Sequence, residues 1–229
     1  EVLPDVALSF AAPDGAYFRP SNYDGTFHGP VWARDALASS YNVPAVVLAE
    51  RVSVPRLLET LAPPGCDSLD KTPEHYGLAL ALRDGEIRVL ELAASYATLA
   101  REGERRAVCG YIDDPRCAAA GTRVLDPDAA RLVLDMLSDD RAREPAFGAR
   151  SALAFEFPAA TKTGTSKGFR DNVAVGVTTE VTVAVWVGNF DGAPMRDVSG
   201  VTGAGPLMHA VLEQANARRP GRSFGAPSQ

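Results

Sequence analysis

Hydrophobic periodicity along the chain changes once, about two thirds of the way through. Up to residue 140, apolar positions recur at helical spacing between turn-rich stretches. VWARDALASS (31–40) and PRLLETLA (55–62) are read as short helices, and Pro44 opens another in PAVVLAERV (44–52). IRVLELAASYATLAREG (87–103) sets Leu90, Ala94 and Ala97 on one face, with Ile87 and Tyr96 near it and Gly103 as the stop. DPDAARLVLDMLSDD (126–140) is expected to start with Asp126 as N-cap and Pro127 at the first helical position. From residue 171 the period becomes two. DNVAVGVTTEVTVAVWVGNF alternates over two arms with a turn near Thr179–Glu180, which predicts a β-hairpin. PAATKTGTS is expected to add a third strand, and GAGPLMHAVLEQANA (203–217) a closing helix. Residues 1–30 and 66–87, rich in turn formers, are read as ordered loops. Helices followed by an antiparallel sheet predict an α+β fold, with the closing helix packed on the sheet.

Composition narrows this picture. A chain of 229 residues with 46% hydrophobic content can bury a sizeable core. A net charge of −6 argues against a nucleic-acid partner. No apolar run reaches the length of a bilayer span, and there is no signal peptide. The first residue is Glu1 rather than Met, so the chain is expected to be a piece of a longer one, and the missing export signal excludes no compartment. The histidines are scattered at 28, 75 and 209, so no metal site and no cofactor is expected. The cysteines leave two readings open. They are small buried or unpaired thiols, or Cys109 and Cys117 form a bridge that closes a short loop in an oxidising compartment.

Two stretches carry candidate chemistry. In TKTGTSKG, Lys162 supplies a fixed positive charge, and the hydroxyls of Thr163 and Thr165 can donate to a carboxylate. Gly164 lets a ligand backbone lie against the strand. The Thr165 amide can face a developing oxyanion, a donor worth roughly 3 kcal/mol of barrier in other enzymes. Alone, this triplet is better read as a solvated turn. In ALASSYNVPAV, Ser40 and Asn42 can bring a hydroxyl and a carboxamide together, or simply form an N-cap cluster.

Taken together, S-x-N followed by K-T-G belongs to a known set whose first member is S-x-x-K. With RPSNYDGTFHGPV, EHYGLALAL, ELAASYATLA, TKTGTSKGFRDNVAVG and TVAVWVGNFDG in order, the chain resembles the transpeptidase domain of class A penicillin-binding proteins, most like the 1C type. The resemblance implies a DD-peptidase/β-lactamase-like fold over residues 1–217, incomplete at its N-terminal side, with 218–229 as a linker or tail. It implies acyl transfer from D-alanyl-D-alanine stem peptides of peptidoglycan, with β-lactams as the competing ligands, at the periplasmic face of the inner membrane. Any membrane attachment would come from an upstream anchor. Ser40 would relay a proton, Asn42 hold the donor amide and Lys162 bond Ser40. Thr163, Gly164 and Thr165 would bind the terminal carboxylate, and Tyr41, Ser166 and Arg170 are candidates for the cleft wall.

One departure stands out. The only literal S-x-x-K is Ser68–Lys71, which follows Ser40 and sits beside Asp70 and Pro73. That motif needs a helical turn to stack lysine on serine. Ser68 is therefore assigned to a loop, and the nucleophile is expected upstream of Glu1, together with the first two strands of the sheet. The 229 residues alone are then expected to be inactive. A stem-peptide-binding module without catalysis and a carboxypeptidase- or β-lactamase-type hydrolase remain as alternatives. Arg170 and Asp171 are expected to form a strand-edge ion pair. Asp24 and His28 are expected to organise the loop beside the cleft, His75 and Tyr76 to pack, Glu86 and Glu91 to be helix-start charges, and Trp186 to be core.

Overall fold

The computed structural model describes residues 1–11, 15–82, 85–111, 113–196 and 198–228. The N-terminal stretch expected as loop carries four short strands: β1 (Val2–Asp5), β2 (Phe10–Ala11), β3 (Tyr17–Phe18) and β4 (Gly29–Trp32). β1 pairs antiparallel with β4, and β2 with β3. Val31 and Trp32, expected in a helix, end β4, so α1 is only Ala33–Ala38. α2 follows at Asn42–Val52 and α3 at Val54–Leu61. A single turn, α4 (Pro73–Tyr76), runs into a 3-10 segment at Gly77–Ala81.

α5 spans Val89–Ala100. β5 (Glu104–Arg105) and β6 (Thr122–Arg123) pair at the base of an excursion in which Cys109 and Cys117 are disulfide-bonded. Cys66 is free and buried. The helix expected over 126–140 ends at Leu137, and a second one begins at Asp140. Asp126 caps α6 (Pro127–Leu137) through the Ala129 amide, as the sequence implies. Asp139 then caps a second helix, α7 (Asp140–Phe147), through the Ala142 amide at 3.0 Å. A second N-cap competes with continuation of the first helix, and the chain breaks there.

β7 (Ala160–Thr165), β8 (Asp171–Val177) and β9 (Thr182–Gly188) form an antiparallel sheet in the order β7-β8-β9. α8 (Ala204–Arg218) packs on β8 and β9. Met208 and Leu212 of α8 join Ala174 and Leu153 in one buried cluster. A second cluster, Leu134, Leu137, Ala160 and Val177, fixes α6 behind β7. Residues 219–228 fold back: the Gly221 amide donates to the Asn216 side chain, and Phe224 packs on the second cluster. Of the sequence expectations, Tyr76 is buried and Glu91 lies in the first turn of α5. Arg170 and Asp171 do not pair: Asp171 accepts from the Trp186 indole at 2.9 Å, and Arg170 is exposed. Among the described residues no helix is long and apolar enough to cross a membrane, and no group of three acidic, His or Cys side chains converges as metal ligands.

Candidate active site

Ser40 owes its position to the way α1 ends. The Tyr41 amide donates to the Ala36 carbonyl at 2.9 Å and the Ser40 amide to Leu37 at 3.2 Å. These are the two bonds of a Schellman motif, which places Ser40 at the position that glycine usually fills. Its φ is +59°, the left-handed region. A serine there is strained, by roughly 1–2 kcal/mol. The turn is held from behind, where buried Ser39 donates its hydroxyl to the Ala142 carbonyl of α7 at 2.7 Å.

β7 faces this turn. The Ser166 amide donates to Asp171 at 2.9 Å, and the register continues through Gly164↔Val173 and Lys162↔Val175. Antiparallel alternation then sends the amides of Gly164 and Lys162 toward β8 and those of Thr163 and Thr165 toward the open edge. The Lys162 ammonium donates to Ser40 Oγ at 2.6 Å and to the Thr163 carbonyl at 2.7 Å. Burial, with the Arg143 guanidinium adding to it, pushes the Lys162 amine down to about 8. Arg143 is itself buried, donating to the carbonyls of Leu153 (2.7 Å) and Leu137 and to Asp140 (2.8 Å).

Ser40, Tyr41, Asn42, Lys162, Thr163, Gly164, Thr165 and Ser166 all line one groove of about 630 Å³. A Cβ built on Gly164 meets nothing within 4 Å, so the strand borders open space at that point. Thr165 Oγ1 accepts the Gly200 amide at 2.9 Å, which leaves its hydroxyl proton free to be donated. The Asn42 side chain donates to the Ser21 carbonyl at 2.8 Å. Ser166 closes the strand end, its hydroxyl accepting the Asp171 amide at 2.8 Å. Arg170 does not line the groove. Ser68 does not line it either. It sits in a turn, with its amide on Glu91 at 3.0 Å, while Lys71 pairs with Asp70 at the surface.

Sequence reasoning missed Asn22, Ser199 and Gly200, which also border the groove. Only the small residues of the SGVTG stretch hint at the close approach of Gly200. A Cβ there would stand 2.6 Å from the Gly164 carbonyl oxygen.

No protein-family model matches the chain. It is 31% identical over 194 residues to penicillin-binding protein 1C of Escherichia coli K12, covering 85% of this chain and 24% of that protein. It superposes on penicillin-binding protein 1A from Haemophilus influenzae with a TM-score of 0.81 at 19% identity, over 99% of this chain and 40% of the other. The PonA1 protein of Mycobacterium tuberculosis, solved in complex with penicillin V, gives a TM-score of 0.79 at 20% identity, over 100% of this chain and 66% of the other. The chain spans about a quarter of the length of the curated relatives it matches. By sequence and by fold, it belongs to the transpeptidase-domain family of the penicillin-binding proteins.

Proposed function

We propose that these residues form the substrate-holding side of a serine DD-transpeptidase that crosslinks peptidoglycan stem peptides and is acylated by β-lactams. The observation that carries this is the 2.6 Å bond from Lys162 to Ser40, between residues 122 positions apart, in a groove that Thr163 and Thr165 of the same strand also line. The hydroxyls of Thr163 and Thr165 suit a terminal carboxylate, and the outward Thr165 amide suits the oxyanion of a tetrahedral intermediate. Asn42 would hold the donor's amide. Ser40, bonded to Lys162, would carry the proton to the departing D-alanine nitrogen as the carbonyl passes to the nucleophile. An amine of a second stem peptide would then take the acyl group and release the serine. The nucleophile is assigned to an S-x-x-K segment outside residues 1–229, because Ser68 has neither the helix nor the groove. The work is placed in the periplasm, and the Cys109–Cys117 bridge fits an oxidising compartment.

A fluorescent penicillin tests this. The complete protein is expected to label on the S-x-x-K serine, Lys162→Ala to lower the labelling rate at least about a hundredfold, in the range seen for lost catalytic groups, and the 229 residues alone to stay dark. Label mapped to Ser68, or an unchanged rate in Lys162→Ala, overturns the reading.

A further inference from the structure

The cleft-side machinery hangs on a buried carboxylate that takes no direct part in the groove. Asp5, at the end of β1, is fully buried. It accepts both from Asn22 Nδ2, at 2.8 and 2.7 Å, and from the amide and Nδ1 of His28, at 3.0 and 2.6 Å. A buried carboxylate is tolerated when its lone pairs are filled in this way. Asn22 is itself 5% exposed, and its carboxamide is used completely. Its second amide contact is the Thr26 carbonyl at 2.8 Å, and its oxygen accepts the backbone amides of Asn42 at 2.8 Å and Val43 at 3.4 Å.

Those two amides are the first donors of α2, whose own cap residue, Tyr41, supplies no side-chain bond. Asn22 is therefore an N-cap delivered from twenty residues away. The adjoining Ser21 carbonyl holds the Asn42 side chain. The residue between Ser40 and Asn42 is fixed from the same cluster: the His28 ring, which also reaches Asp24 at 3.2 Å, stacks on Tyr41 with centroids 4.1 Å apart.

We propose that Asn22, anchored on Asp5, is a positioning residue for the reaction: it sets the orientation of Asn42. The Asn22 carboxamide is occupied by Asp5, Thr26 and the first amides of α2, so it acts through Asn42. This inference rests on the proposed transpeptidase reading, and its test separates the two.

The experiment is a double-mutant cycle in the complete protein, reading the second-order rate of acylation by a fluorescent penicillin beside thermal unfolding. Asn22→Ala is expected to slow acylation on the order of ten- to a hundredfold, the range expected when a reacting group is displaced by about an ångström. In an Asn42→Ala background the same change is expected to cost acylation less than about twofold, while lowering the melting temperature as before. A purely structural role predicts the full loss in both backgrounds. Should Asn22→Ala fail to fold, the exchange Asp5→Asn with Asn22→Asp restores one carboxylate and one carboxamide to the pair. It keeps an acceptor on the Asn42 amide and is expected to recover acylation that Asn22→Asp alone loses. Equal rates in Asn22→Ala and the unaltered protein, additive losses in the cycle, or no recovery in the exchange would each overturn the inference. An unaltered protein that is never acylated would overturn the proposed function instead.

Discussion

Ser40 places a hydroxyl where backbone geometry asks for glycine. Two variants separate the conformational cost from the lost hydrogen bond, since Ser40→Ala and Ser40→Gly both remove the contact to Lys162. Ser40→Gly is expected to be more stable than Ser40→Ala by about 1 kcal/mol, because glycine adopts positive φ without a Cβ clash. Denaturant unfolding measures the difference, and both variants are expected to lose acylation. Lys162 makes a second prediction. Its amine is pushed down to about 8 in the folded chain, against roughly 10.4 when unfolded. Between those values the unfolded state binds more protons, so this group adds stability as pH rises. Its contribution is complete above the unfolded value and is lost as pH falls through about 8. Unfolding free energies measured from pH 7 to 10.5 should climb less steeply in Lys162→Met than in the unaltered chain. An identical slope would mean that the amine is not desolvated.

Elements differed in how much of them could be read from sequence. The hairpin was legible because strict alternation over β8 and β9 has one good solution, and the Asp126–Pro127 start of α6 because cap chemistry is local. α7 was not legible: its sequence, DRAREPAF, contains Arg143, which periodicity alone would send to solvent. The arginine is buried because carbonyls of Leu137 and Leu153 and the carboxylate of Asp140 meet it, and these partners converge only in three dimensions. Likewise, the N-cap of α2 comes from Asn22, beyond the reach of any window drawn around the helix. The packing of α8 on β8 turns on a residue without a side chain. A Cβ at Gly176 would lie 2.4 Å from Met208 Sδ and 2.8 Å from Leu212 Cδ2. Both partners are fully buried and have little room to move. Gly176→Ala is expected to destabilise the chain by about 1–3 kcal/mol through overpacking, seen as a lower denaturant midpoint with unchanged slope. A neutral result would show that α8 can slide on the sheet.

Across the whole molecule, the site joins three parts of the chain that sequence separates widely: the β1–β4 region with its polar cluster, the α1–α2 turn, and β7 at the edge of the sheet. Pairing of Ser40 with Lys162 was legible because the resemblance named both motifs, whereas the support beneath each was not, because buried polar networks have no period. Arg34 of α1 reaches Asp135 and Asp139 near the end of α6, and Ser39 reaches α7, so the Ser40 turn is tied to α7 and to α6, the helix that backs β7. The folded-back tail completes that backing. Phe224 shares its cluster with Ala160, the first residue of the strand whose third residue is Lys162. The residues beyond α8 therefore reach, through the Phe224 ring, the apolar cluster that seats the start of the Lys162 strand, so a chain cut short of Phe224 is expected to loosen β7 as well as its own tail.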